Sequence, residues 1–209
     1  MAVRVDWNRA TAASKDVVNL LLETYKDERG VHVETVIGAA AALAGAQALR
    51  AASPMLPGTQ YVVSAEADDL LMKGSVTGQS LTGIILQFAE NVGVARSELP
   101  DPREINNRVI AAFGTSRFPP LSVPQVNYPR EWSPDATVRL RDRLDILFVS
   151  KELNAVEGAV ACVAATASLI KMTAESIDPK ISTTLALEIM IAVSHMRPLN
   201  RVFGAPPPA

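Results

Sequence analysis

The sequence predicts an all-α fold, a compact multi-helix bundle of about seven helices spanning residues 1–209 as one domain. Two segments carry nearly the same seam of small residues at helical spacing. In residues 33–52 a 3.6-residue period places Glu34, Gly38, Ala41, Ala42, Gly45 and Leu49 on one face. In residues 153–172 the same wheel aligns Asn154, Gly158, Ala161, Cys162, Ala165 and Leu169. Seams of Gly and Ala let two helix backbones approach inside the usual interaxial distance of roughly 8–10 Å. The two Ala/Gly-rich helices are therefore expected to pack closely against each other or across a homodimer axis. Helix punctuation is the second observation: Asp101-Pro102, Ser133-Pro134 and Asp178-Pro179 each put a capping side chain before a proline at the first helical position. Identities between the two seams do not extend into their flanks, so shared packing demands explain them better than an internal duplication.

Composition agrees with this fold. Apolar residues make up 48% of the 209 and charged residues 20%, which excludes a disordered or fibrous chain. Aromatics are only 5%, so the core is expected to be built from Ala, Val, Leu and Ile. A formal net charge of -2 supplies no broad positive field, and nucleic-acid binding is not expected. Cys162 is the single cysteine, cannot form an intrachain disulfide, and reads as buried filler in an apolar helix. The opening MAVRVDWNRA breaks the apolar stretch a signal peptide needs, and a cytoplasmic location is expected. The most apolar run, residues 36–46, stops short of the roughly 20 residues needed to span a bilayer, so no membrane partner is expected.

Along the chain, residues 1–14 read as an irregular N-terminal arm. Residues 16–29 place Val17, Leu20, Leu21 and Tyr25 on a helical face, with Gly30 as the stop. The first seam follows and ends at the breaker cluster of residues 53–58. Residues 60–64 are an extended lead-in to a helix over 65–73, and Leu81, Ile84, Ile85, Phe88 and Val92 mark a helix over 79–92. The helix opened by Asp101 is expected to run to Phe113 and stop at Gly114. Residues 115–134 contain Pro119, Pro120, Pro124, Pro129 and Pro134, too many missing amide donors for a regular element. Irregular segments of this length wrap over a surface or carry function. Residues 137–149 alternate as a strand would, but the face of Leu140, Leu144, Leu147 and Phe148 and the pairs Asp135–Arg139 and Arg141–Asp145 favour a helix. Helices over 151–177 and 182–197 complete the bundle, and residues 203–209 read as a mobile tail.

No segment carries a specific catalytic signature. Glu34 stands on the small-residue face, so it must be paired, neutral or exposed at a helix end, where the helix dipole favours an acid. With His32 beside it, it is a candidate binding group. Tyr128, Arg130 and Trp132 concentrate hot-spot residue types in the proline-rich segment, although Trp132 could equally pin that segment to the body. Lys73, Ser75 and Ser80 flank glycines ahead of a helix, the ingredients of an anion site, without the spacing of a nucleotide-binding loop. Residues 86–99 have the small and apolar spacing of a helix-turn-helix, but Pro100 and Pro102 would break its recognition helix. With two histidines and no Glu-x-x-His pair, neither a metal site nor a cofactor is expected. The functional expectation is a non-catalytic binding or assembly protein that self-associates, a dimer being favoured. The alternatives are an enzyme or small-ligand protein with an inter-helix pocket lined by His32, Glu34, Glu188 or His195, and thirdly a DNA-binding protein.

Overall fold

A computed structural model describes residues 5–52 and 61–196. Among them it is all-α, with nine α-helices and a single two-residue hairpin. The breaker cluster at 53–58, the end of the last expected helix at Arg197 and the tail at 203–209 lie outside the described residues.

Helix α1 (Trp7–Tyr25) begins well inside the stretch expected to be an irregular arm. The Asp6 carboxylate accepts the Arg9 amide at 3.1 Å, a cap that the sequence reading overlooked. The helix ends at Tyr25, and residues 26–31 form an antiparallel hairpin, β1 (Lys26–Asp27) with β2 (Gly30–Val31). Gly30 supports that turn at φ +102° instead of capping a longer helix. Helix α2 (Val33–Ala52) is the central rod. It is apolar around its whole circumference because α1, α8 and α9 surround it together with α6 (Ser133–Arg139).

Helices α8 (Ala155–Met172) and α9 (Pro179–Ser194) are the main neighbours of α2. The seam glycines, however, open onto different things. A Cβ on Gly45 would stand 2.2 Å from the Met190 carbonyl oxygen, so the close backbone approach is between α2 and α9. A Cβ on Gly158 would meet the Phe148 ring at 2.7 Å, and one on Gly38 would meet Ser133 Oγ at 2.8 Å and Pro129 at 3.0 Å. The two seams thus do not use their glycines on each other, although α2 and α8 do pack together.

Residues 65–73 form α3 (Ala65–Asp68) continued by a π-helical turn, Asp69–Lys73. Helices α4 (Leu81–Asn91) and α5 (Pro102–Ala111) follow, capped by Ser80 and Asp101 as local signals require. The single helix expected around 135–149 is two, α6 and α7 (Arg141–Ser150), meeting at Leu140, which partly accounts for nine helices where about seven are expected. The expected i,i+4 pairs do not form. Arg139 reaches Glu131 at 2.6 Å and lies over the Tyr25 ring, while Asp145 pairs with Arg50. Helix α8 is shorter than the expected 151–177 because Asn154 and Glu157 build a reciprocal capping box at its start.

By length and composition α2 and α8 could each cross a membrane, but 78% and 72% of their apolar windows are buried inside this fold. Helices enclosed in a protein core have this composition too.

Candidate functional site

From the end of α5 to the start of α6 the chain runs as a strap across α9 and then α2. Its only regular piece is a 3₁₀ turn at Gln125–Asn127, as the prolines dictate. Two carboxylates on the core helices hold it down.

The first is Glu188, in the middle of α9 and completely buried. Its Oε2 accepts the Ser122 amide at 2.9 Å, and its Oε1 accepts the Ser122 hydroxyl at 2.6 Å and Arg108 Nη2 of α5 at 2.7 Å. A buried carboxylate is tolerable only with such partners, and here a guanidinium supplies the opposite charge. The second is Glu34 in the first turn of α2. Its Oε1 accepts Asn127 Nδ2 at 3.1 Å, and its Oε2 lies 3.5 Å from His32 Nε2. His32 Nδ1 lies 2.8 Å from Thr35 Oγ1 and 3.3 Å from the Thr35 amide, so the ring bridges the start of α2 and Glu34. Thr35 Oγ1 in turn accepts the Arg130 amide at 2.9 Å. Pro129 closes over Gly38, where only a glycine leaves room for it.

Val123 is buried and Phe118 and Leu121 pack on the core, whereas four further large side chains of the strap are exposed. Val126 is 84% exposed, Tyr128 and Trp132 39% each, and the exposed Arg130 guanidinium has no ion pair among the described residues. Tyr128 Oη donates to the Leu121 carbonyl at 3.3 Å, which orients the ring. The structure therefore gathers five residues singled out in the sequence, His32, Glu34, Tyr128, Arg130 and Trp132, on one strap and its anchor.

Other expected sites dissolve. Ser75 gives both its amide, at 3.1 Å, and its hydroxyl, at 2.7 Å, to Asp69, so the donors meant for an anion already serve a carboxylate. Ser80 is spent capping α4, accepting the Gly83 amide at 3.1 Å, and Lys73 closes the π-helical turn, so Lys73, Ser75 and Ser80 do not form an anion cradle. Arg96 sits in a single 3₁₀ turn, Arg96–Glu98, paired to Glu90 at 3.3 Å, and there is no recognition helix.

Glu188 and His195 share α9 but not a pocket. Fully buried His195 donates from Nδ1 to the Val62 carbonyl at 2.9 Å, accepts the Val62 amide at its own carbonyl at 2.8 Å, and places Nε2 2.7 Å from Asn106 Oδ1. It fastens the lead-in to α3 onto α9. A surface cleft of about 170 Å³ lies elsewhere, lined among others by Met72, Thr82, Leu86, Arg96 and Arg103. Among the described residues no three His, Cys, Asp or Glu side chains converge as metal ligands would. Burial pushes the Cys162 thiol far above its ordinary range, so it is not a nucleophile.

Sequence reasoning missed Ser122 and Arg108, which have no local signal: each meets Glu188 from at least 66 residues away. It also missed Glu157, completely buried at the start of α8, which takes Arg9 Nη2 at 2.8 and 2.9 Å and the amides of Asp6 and Asn154 at 2.9 and 3.0 Å. Asn154-x-x-Glu157 is a capping-box pattern and was the available clue. Comparison with models of known protein families, with curated proteins and with solved structures returns no match.

Proposed function

We propose that this chain is a non-catalytic assembly protein that pairs with a second copy of itself through the outer edge of the strap. The observation that carries the reading is a set of large exposed side chains, Val126, Tyr128, Arg130 and Trp132, on a loop held through the Ser122 amide by Glu188, the Asn127 side chain by Glu34 and the Arg130 amide by Thr35. Tyr, Trp and Arg dominate interface hot spots, and a loop already ordered in the free chain loses little entropy on docking. Helix α7 adds a second apolar face, with Ile146 71% and Val149 78% exposed one turn apart. Strap and α7 flank α6 in the chain. A two-fold pairing would let each copy offer both surfaces to the other and bury every contact twice.

The titratable groups already held by internal partners support a binding role over a chemical one. Glu34, Glu157, Glu188 and His195 each have internal partners. The reading includes a water-soluble, cytoplasmic chain, supported by the burial of α2 and α8 within the fold. Sedimentation equilibrium over a wide concentration range tests it. A monomer–dimer equilibrium is expected, weakened by Trp132→Ala about thirtyfold, the typical loss of a hot-spot aromatic, and further by Val126→Asp. A chain that stays monomeric at every concentration refutes the reading.

A further inference from the structure

We propose that Ser122 is a phosphoacceptor, and that a phosphoryl group on its hydroxyl releases the strap from Glu188. The inference deepens the assembly reading by giving the strap a regulator, and it rests on that reading only for the consequence of release.

The geometry points to Ser122 among the hydroxyls of the strap. Ser122 is exposed, yet its hydroxyl and amide both end on a carboxylate that is completely buried. Thr115, by contrast, donates to the Ala112 carbonyl, the exposed Ser116 hydroxyl reaches no carboxylate among the described residues, and Ser133, where α6 begins, is buried against the Gly38 position. An ionised carboxylate has no proton to give, so the 2.6 Å contact exists only because Ser122 Oγ carries one. Esterification removes that proton and sets close to two negative charges beside Glu188. Arg108 brings one positive charge to this cluster and is already engaged by Glu188 Oε1. Like-charge repulsion and the lost donor then act together, and the strap leaves α9.

The surrounding chain suits the reaction. Pro119, Pro120 and Pro124 prevent helix or sheet pairing around Ser122, so a segment that lifts off presents an extended acceptor peptide. The phosphoryl donor is a nucleoside triphosphate held by a separate serine kinase. Ser122 Oγ attacks the γ-phosphorus, the Oγ–P bond forms as the β,γ-bridging P–O bond breaks, the hydroxyl proton passes to the kinase's carboxylate base, and the nucleoside diphosphate leaves. The enzyme acts on the lifted strap, and the phosphate keeps it lifted. The Asn127–Glu34 and Arg130–Thr35 contacts remain as the hinge.

The test uses the full chain with phosphoserine encoded at position 122, read by amide hydrogen exchange. The Ser122 amide is expected to exchange about a hundredfold faster than in the unmodified chain, the loss of two charge-assisted hydrogen bonds. Ser122→Ala keeps the amide bond to Glu188 and is expected to change exchange by less than about tenfold. Adding Glu188→Gln to the phosphorylated chain gives the phosphate an amide donor and is expected to restore protection, which mere bulk at position 122 would not allow. Unchanged exchange in the phosphorylated chain overturns the proposal, as does mass spectrometry finding Ser122 unmodified in the protein from its own cells under every condition sampled. Sedimentation of the same sample separates the two ideas: a released strap in a chain that is monomeric at every concentration, with and without the phosphate, upholds this inference and refutes the assembly reading.

Discussion

Substituting Gly45 with alanine probes the close backbone contact between α2 and α9. The new Cβ would lie 2.2 Å from the Met190 carbonyl oxygen, 3.1 Å from its carbonyl carbon and 3.0 Å from the Ser194 amide nitrogen. Comfortable contact needs roughly 3.5 Å, so α2 and α9 must separate locally by about 1 Å, and all three atoms are backbone with no rotamer to escape into. A gap of that size forfeits up to about half of the dispersion energy of each opened contact, and overpacking of this kind costs about 3 kcal/mol. Alanine returns about 1 kcal/mol through helix propensity. The net expectation is a loss of about 2 kcal/mol, or roughly 4–8 °C in Tm for a chain of this size. Urea unfolding monitored by circular dichroism reads it as a lower midpoint at constant slope. Gly158→Ala is the internal comparison, because its Cβ meets the ring of Phe148, a buried side chain that has rotatable bonds where the Met190 backbone has none. Its net effect should be within about 1 kcal/mol of zero. If Gly45→Ala is instead stabilising by the propensity gain alone, the two backbones do not approach as described and the argument from the seam fails.

Two further outcomes follow from buried polar groups. Thr183 is completely buried on α9, and its Oγ1 has no hydrogen-bond partner among the described residues. Thr183→Val, nearly isosteric, should stabilise by about 1 kcal/mol, and a loss of similar size in a urea titration would reveal a partner for that hydroxyl. Burial raises the Glu157 carboxyl, but the amides of Asp6 and Asn154 and the Arg9 guanidinium outweigh it and hold the group below the usual carboxylate range. A depressed folded value contributes stability that is present above the unfolded value and lost as pH falls through the folded one. Stability should therefore drop on the acid side of roughly pH 4, and Glu157→Gln should be less stable at neutral pH with a shallower acid decline. An unchanged acid limb in that variant would remove Glu157 from the account.

What could be read from the sequence was what neighbours in the chain decide. Asp101-Pro102 and Asp178-Pro179 both start helices at the proline because cap and proline act within one turn, the second of them ahead of the expected start at residue 182. For Glu34 the sequence leaves paired, neutral and helix-end readings open, because its partner Asn127 is 93 residues away and no local pattern could name it. The anion loop misled because Asp69, six residues upstream of Ser75, had already claimed its donors. The seam showed that something approaches α2 closely without showing what. Met190 presents its carbonyl, and a backbone atom leaves no mark on the partner's sequence. The break at Leu140 was hidden because its apolar pattern suits one helix or two.

The buried carboxylates also answer a problem that alanine creates. A helix surface of methyl groups has shallow ridges, so rods such as α2 and α8 could slide or rotate against neighbours with little change in packing. Charged pairs correct this because each is satisfied in only one arrangement. Glu157 accepts donors from α1 and from the capping residue before α8, Glu188 from α5 and the strap, and Glu34 from the strap's 3₁₀ turn. Such pairs are weak evidence for stability, since desolvation offsets much of their attraction. Their contribution is register: each joins elements far apart in the chain, and together they fix the strap's two crossings over the central rods. The same charges that select one packing are thus the ones that hold Tyr128, Arg130 and Trp132 in a fixed array, and fold specificity and the proposed binding surface share one physical cause.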